Sequence, residues 1–444
     1  MSLNKEYTVG IYTLGCKVNQ YESEAIAEEL EKNGIKVAPP SSVCDAYIIN
    51  TCTVTSESDR KARQFIRRAI SKNPSAYVIV TGCLAQTSPE TVGAIEGVDA
   101  VIGNTEKLLA AKVLLSLFEK GEKNTAAQIF VDDIDSADFE PMAITKFDRT
   151  RAYVKIEDGC ENKCTYCIIP YARGKVRSKS PDELLREVRA LVRGGCREIV
   201  LTGIETASYG KDLGGVDLAD ILCKIDKIEG IGRVRLGSLD PSLIRPDFVK
   251  KIASLSCLAP HFHLSLQSGS DKILALMKRK YNSRMAMNAI DLLREYIPNV
   301  KFTTDVIVGF PGESEEDFLD TARFVAEAGF LMVHIFPYSK REGTPAAKMQ
   351  GQIPNEEKSR RLHALEKIAA ESRLSLLERE VAERPCREVL FETYSDGYAH
   401  GHTDDFLEVS VKSESPIRSE TRRVRLENTD GKLCFGVLDE NFSG

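Results

Sequence analysis

Residues Arg151–Cys167 read RAYVKIEDGCENKCTYC. The first half is a short strand pattern, and the second half places Cys160, Cys164 and Cys167 in a Cys-x3-Cys-x2-Cys spacing immediately after it. Three thiolates on one short loop can each hold one iron of a cubane cluster, leaving the fourth iron without a protein ligand. Zinc is the alternative, but zinc usually takes paired Cys-x2-4-Cys units and a fourth protein ligand, and no His or Cys follows nearby.

Downstream, the strand that leads into this loop is the first of a series. RAYVKIE, REIVLTG, RVRLGS, HFHLSL, KFTTDVIVG and FLMVHIFPY alternate with helical patterns such as PDELLREVRALVRGG and SEEDFLDTARFVAEAG. Six βα units over residues 146–376 predict an incomplete parallel barrel, open on one side, with its chemistry on the loops at the C-terminal ends of the strands. Gly203, Ser238, Gln267 and Gly309 all fall on such loops. Glycine there lets backbone approach a ligand closely, although a tight turn is the commoner reason for it.

Upstream, residues 1–140 predict a small α/β domain with a parallel sheet, built on the strand runs VGIYTL, AYIIN and AYVIVT. Cys16, Cys52 and Cys83 follow those three runs at equivalent places. In an open parallel sheet the carboxyl ends of neighbouring strands share one edge, so these cysteines are expected to converge on a second three-thiolate site, unless they are simply three buried cysteines. The polar stretch IDSADFEPM reads as a linker to the barrel. Cys44, Cys196, Cys223, Cys257, Cys386 and Cys434 stand alone and read as packing residues.

Beyond the barrel, residues 354–384 form one long helical pattern that ends before Pro385. The period then becomes two in REVLFE, DFLEVSV, RRVRLE and KLCFGVL, which predicts a small antiparallel β-barrel over residues 380–442. The chain therefore reads as α/β with three domains.

The 444 residues are 42% hydrophobic, with a net charge of −6, so contact with nucleic acid has to come from local basic patches rather than from the overall field. No run approaches the length of a membrane span and the start MSLNKEYTVG lacks an apolar signal region, so a cytoplasmic location and no membrane partner are expected. In that compartment twelve cysteines point to metal or cluster ligation rather than to disulfides.

GCENKCTYC resembles the signature of the radical S-adenosylmethionine (SAM) superfamily. The resemblance implies a 4Fe-4S cluster whose open iron chelates the amino and carboxylate groups of SAM, with one electron cleaving SAM to a 5′-deoxyadenosyl radical. Tyr166 resembles the aromatic placed near the adenine, packing being the alternative; Gly203, Ser238, Gln267 and Gly309 would complete the SAM pocket. TLGCKVNQYESE, NTCTVTSESDRKAR and VTGCLAQ resemble the three cysteine motifs of the methylthiotransferases, and the last domain resembles their RNA-binding TRAM module. That implies a second 4Fe-4S cluster on Cys16, Cys52 and Cys83, two SAM per turnover, an external electron donor, a sulfur donor, and methylthiolation at carbon 2 of an adenine. TLGCKVNQYES is similar to the subgroup acting on N6-threonylcarbamoyladenosine at position 37 of tRNA, next to the anticodon. Isopentenyladenosine in tRNA or a ribosomal-protein aspartate are alternative substrates of the same chemistry. A non-catalytic metal-containing RNA-binding protein is the alternative of another class.

The implied partner is a tRNA anticodon stem-loop. Arg60, Lys61, Arg63, Arg67 and Arg68 lie on a helical pattern just after Cys52, where they could meet phosphates or form a solvated face. Arg173, Lys175, Arg177 and Lys179 follow Cys167, suggesting substrate or SAM contact. In the last domain Arg422, Arg423, His400 and His402 are candidates for RNA contact, with Tyr398 and Phe406 for base stacking.

Overall fold

A computed structural model describes residues 6–147 and 150–439. The first domain is a six-stranded sheet of β1 (Thr8–Thr13), β2 (Lys36–Ala38), β3 (Ala46–Thr51), β4 (Tyr77–Gly82), β5 (Ala100–Ile102) and β6 (Gln128–Phe130), in the order β2-β1-β3-β4-β5-β6. All its pairings are parallel. Every residue of AYIINT in β3 and YVIVTG in β4 is buried, as a central parallel strand covered on both faces requires. Three of the six strands were expected; β2, β5 and β6 are three residues each, too short to show a period.

The second domain is an arc of parallel strands: β7 (Arg151–Lys155), then a ribbon of β8 (Glu157–Asp158) with β9 (Arg177–Ser178), and β10 (Glu198–Thr202), β11 (Arg233–Leu236), β12 (Ser238–Leu239), β13 (His261–Gln267), β14 (Lys301–Val308) and β15 (Met332–Pro337). β11 and β12 are the two halves of one path interrupted at Gly237, so six strand positions run from β7 to β15. No pairing joins β7 to β15, which leaves the expected open side. Ala152, Val154, Ile199, Leu201, Val234, Leu236, Phe262 and Leu264 pack outward into the core beneath the helices. Their alternates, Arg151, Lys155, Glu198, Arg235, His261 and His263, therefore face the lumen, which is polar and charged.

A helix over Asn355–Glu383 spans the expected junction with the last domain. Beyond it β16 (Cys386–Ser395), β17 (Tyr398–Thr403), β18 (Glu408–Lys412), β19 (Thr421–Thr429) and β20 (Cys434–Leu438) close into a barrel in the order β16-β17-β18-β20-β19. Two differences from expectation appear here. The barrel has a fifth strand, β17, whose small inward residues Ala399, Gly401 and Thr403 carry little β signal. Its closing seam, β18 with β20, is parallel rather than antiparallel.

The domains interlock. Glu380 on the long helix pairs with Lys301 at 2.7 Å and Arg387 at 3.1 Å, and Arg151 at the start of β7 pairs with Glu392 at 2.8 Å. The linker is packed rather than loose: Ile134 and Met142 are buried, and Met142 O accepts from Tyr21 Oη at 2.8 Å. No helix among the described residues is long and apolar enough to cross a membrane.

Candidate metal centres and the cleft beside Cys16

Parallel order places β1, β3 and β4 side by side, and Cys16, Cys52 and Cys83 lie just beyond their C-terminal ends. Gly15, at φ +99°, tucks so close to Cys52 that a Cβ there would lie 2.9 Å from its Sγ. Only glycine satisfies both the backbone angle and that approach. Burial, with Cys83 and Cys16 nearby, pushes the Cys52 thiol up to about 12. A cost of that size for the free thiolate is the reason such a group is usually found bound to metal or protonated.

The other triad is held by the loop after β8. Cys160 N donates to Gly174 O at 3.0 Å and Cys167 N to Cys164 O at 3.1 Å, which folds the loop on itself. Gly159, at φ +86°, would place a Cβ 1.8 Å from Lys175 O, so the turn into Cys160 admits no side chain. Burial raises Cys160 and Cys167 to about 12. All twelve cysteines are free thiols.

Both triads fit an anionic cluster, because each has a buried cation donating to sulfur. Arg173 Nε lies 3.4 Å from Cys83 Sγ, and Arg279 Nη1 lies 3.3 Å from Cys164 Sγ. Arg279 is fixed by Asp240 at 2.8 Å and by Ser265 O at 3.0 Å. Around Arg173, two buried carboxylates, Glu22 and Asp158, share four cations, Lys107, Lys155, Arg173 and Arg177. Positive charge is in surplus there. Buried ions need compensation, and the thiolates of the adjacent triad are the groups placed to give it.

Near the second triad, Glu205 Oε1 and Glu157 Oε1 are buried without a hydrogen-bond partner. Glu205 Oε2 accepts from Asn162 Nδ2 at 2.8 Å, and burial, with Asp240 adding repulsion, lifts its carboxyl to about 7. Orphaned acceptors beside a cluster loop suit a ligand that brings its own N–H or O–H donors. Of the residues expected to line a SAM pocket, Gly203 sits so close to Glu157 that a Cβ there would lie 2.5 Å from its Oε2, and Ser238 begins β12. Gln267 ends β13 with φ +69°, a left-handed backbone unusual for this residue, and Gly309 (φ +71°) donates to Glu313 at 2.6 Å. Tyr166 packs edge-on to Phe310 at 6.4 Å. Glu205 and Arg279 escaped sequence reading, although Glu205 lies two residues past Gly203.

A cleft of about 900 Å³ opens between the first domain and the end of the arc, lined on one side by Cys16, Cys52, Thr55 and Lys61 and on the other by Phe336, Tyr338 and Lys358. Arg341 clamps its edge, donating to Thr53 Oγ1 at 2.7 Å and pairing with Asp59 at 2.7 Å.

The candidate RNA residues divide. Arg60, Lys61, Arg67 and Arg68 are exposed on the helix Ser56–Lys72, with Arg63 half-buried, while Ala62, Ile66 and Ala69 face the core. Arg60 is paired with Glu57 at 2.6 Å. Lys175 is exposed. Three others are corrected by burial: Arg173 is fully enclosed, Arg177 donates to Ile134 O at 3.0 Å, and Lys179 pairs with Glu187 inside the interface. None of the three reaches RNA. Phe406 is not free to stack on a base, because His261 and His402 stack on it at 4.5 and 4.7 Å and Arg235 lies 4.7 Å away. His402 is itself tied to Glu392 at 2.8 Å. Arg422 is exposed and pairs with Glu420 at 2.5 Å, Arg423 lies 3.8 Å from Asp439, and Tyr398 is exposed. His400 lines a small pocket with Glu392 and Glu408. Among the lone cysteines, Cys44, Cys196, Cys257 and Cys434 are buried as expected, but Cys386 is exposed and Cys223 half-buried.

Comparison with known proteins gives matches to both of the cysteine-bearing regions. The radical SAM superfamily model matches residues 154–325, and that of uncharacterized protein family UPF0004 matches residues 8–103. The threonylcarbamoyladenosine tRNA methylthiotransferase MtaB of Bacillus subtilis is 39% identical over 94% of this chain and 93% of its own. That of Thermotoga maritima is 41% identical over 87% of each. Among solved structures, the radical SAM methyltransferase TsrM from Kitasatospora setae superposes with a TM-score of 0.55 over 77% of each chain at 15% identity, a likeness of fold alone.

Proposed function

From the premise that the chain belongs to the radical SAM methylthiotransferase family, as its 39% identity to a relative spanned almost end to end shows, we propose that it converts N6-threonylcarbamoyladenosine in the anticodon loop of tRNA to the 2-methylthio derivative. The observation that carries the reading is the pairing of two three-cysteine sites, one on each domain, joined through Arg173. A radical SAM enzyme that only cleaves SAM has no use for the first. Cys160, Cys164 and Cys167 hold one 4Fe-4S cluster and Cys16, Cys52 and Cys83 a second. When bound, they supply the chemistry that acids and bases do not readily accomplish at an unactivated aromatic C–H: SAM cleavage at one and sulfur at the other, at two SAM per turnover, with electron and sulfur donors from outside.

The chain's own residues do the remaining work. The β8 loop and Arg279 hold the second triad at the C-terminal end of the barrel, where Glu205, Glu157, Ser238, Gln267 and the backbone at Gly203 and Gly309 bind SAM. The network around Glu22 keeps the two domains in register and shields the thiolates from water. The exposed cations of helix Ser56–Lys72, with Arg422, take phosphates of the anticodon stem-loop, and the target base enters the cleft beside Cys16. A tRNA substrate fits a cytoplasmic location.

The test is anaerobic reconstitution with iron and sulfide, followed by incubation with SAM, a reductant and tRNA carrying threonylcarbamoyladenosine. Mass spectrometry of the digested tRNA is expected to show conversion to the methylthio nucleoside. Equal conversion of tRNA lacking the threonylcarbamoyl group would overturn the substrate assignment, and failure to cleave SAM would overturn the enzyme reading.

A further inference from the structure

The last strand of the arc, β15, sorts its side chains by alternation. Val333 and Ile335 pack against the barrel core, while His334 and Phe336 point the other way and are exposed. Phe336, 44% exposed, joins no hydrophobic cluster and stacks on no other ring among the described residues. It lines the cleft of about 900 Å³ whose other wall carries Cys16 and Cys52. Val54, two residues after Cys52, is 50% exposed on that other wall.

Single exposed apolar side chains are ordinary on an outer surface. One on each wall of a cleft, among hydroxyls and lysines, is instead the composition of a ligand groove. The lysines, Lys61, Lys340 and Lys358, share the groove with a single acid, Glu57, which is already paired with Arg60 at 2.6 Å. The groove therefore favours an anionic molecule with a flat, apolar-faced body. Its walls are held at a fixed spacing, because Ser56 Oγ lies 3.0 Å from Ser339 Oγ and Arg341 reaches across to Thr53 and Asp59, each at 2.7 Å.

A nucleotide of the anticodon loop has both parts. Its phosphates suit the lysines, and its base, once turned out of the loop, has two π-faces to cover. A base gripped by its faces can turn only in its own plane. What it then shows to Cys16 is an edge, and carbon 2 of adenine lies on an edge.

We propose that Phe336 and Val54 form a slot for the target adenine, with the Phe336 ring stacking on one face of the base and Val54 closing the other. The inference rests on the substrate reading above. A stacked face presents no hydrogen-bond pattern, so the slot holds the base without reading what N6 carries, and discrimination among adenosines falls to other groups.

The test uses reconstituted full-length protein and two synthetic anticodon stem-loops, one carrying threonylcarbamoyladenosine at the target position and one abasic there. The natural protein is expected to bind the first about five- to a hundred-fold more tightly than the second, the range of base–aromatic stacking. In Phe336→Ala that ratio falls toward one and in Phe336→Tyr it is kept, while the abasic loop, which has only its backbone to offer, binds both variants as it binds the natural protein. Equal affinity of the natural protein for the two loops would overturn the proposal, as would a ratio that survives in Phe336→Ala. Should Phe336→Ala fail to fold, Val54→Ser decides: a lowered ratio supports the slot, and one equal to the natural protein's overturns it. Tight binding of the threonylcarbamoyl loop without its conversion would instead sink the substrate reading, a separate outcome.

Discussion

The guanidinium of Arg173, six residues after the last cysteine of one triad, donates to the sulfur of Cys83 in the other at 3.4 Å. Through the same side chain it reaches Asn19 at 2.6 Å and Asp158 at 3.0 Å. One buried residue thus ties the chain segment that follows one cysteine triad to a sulfur of the other.

Replacing Arg173 with Met should destabilise the protein by about 1–3 kcal/mol, the range for leaving buried acceptors such as Asn19 Oδ1 without a donor, while Lys107 and Lys155 still neutralise Glu22. Glu22→Gln should cost more in the apo-protein, because it removes one of the two carboxylates that the four buried cations share. Denaturant unfolding of the two variants reads the difference directly.

The triads should be separable by iron analysis. Cys160→Ala/Cys164→Ala/Cys167→Ala is expected to retain about half of the iron and lose SAM cleavage, as one cluster of two is removed. Cys16→Ala/Cys52→Ala/Cys83→Ala should also keep about half, cleave SAM, and make no methylthio product. Loss of all iron from either variant would contradict two independent sites.

Neutralising the exposed helix, as in Arg63→Gln/Arg67→Gln/Arg68→Gln, should weaken binding to any tRNA alike. The slope of log affinity against log salt should fall by roughly 0.7–0.9 for each phosphate that the helix no longer neutralises. A slope equal to that of the natural protein would remove this helix from the RNA surface.

Stability should depend on Glu198 in acid. Burial opposes its charge, but Arg235, then Arg151 and Arg233, outweigh it and hold the carboxyl at about 2. A depressed folded value means the contribution is present above the ordinary glutamate range and is lost as pH falls from about 4.5 toward 2. Glu198→Gln should therefore lower the thermal midpoint at pH 7, with the gap to the natural protein narrowing below about pH 4.

The barrel strands and both cysteine triads could be read from the chain because their signals are local: a strand run, then a loop, then a spacing. Arg173, Arg177 and Lys179 could not. A cluster of cations looks like surface, and the acids that bury these three, Glu22, Asp158 and Glu187, are set by the fold rather than by proximity in sequence. Phe406 was read as a stacking surface because an aromatic between polar residues in a β-rich domain suits RNA; its backbone, at φ +78°, turns it inward instead.

That turn has a consequence for the far end of the chamber. Arg151 and His261 begin their strands, at the mouth opposite the cysteine loops, and Phe406 from the last domain is wedged against both, with Asp405 beside it 3.5 Å from Lys301. The C-terminal β-barrel is also the cork of the strand arc. A chain shortened after Glu383 would lose more than its hold on tRNA: bulk solvent would drain in from below, and a reaction that depends on dryness would be quenched even on a substrate small enough to need no grip.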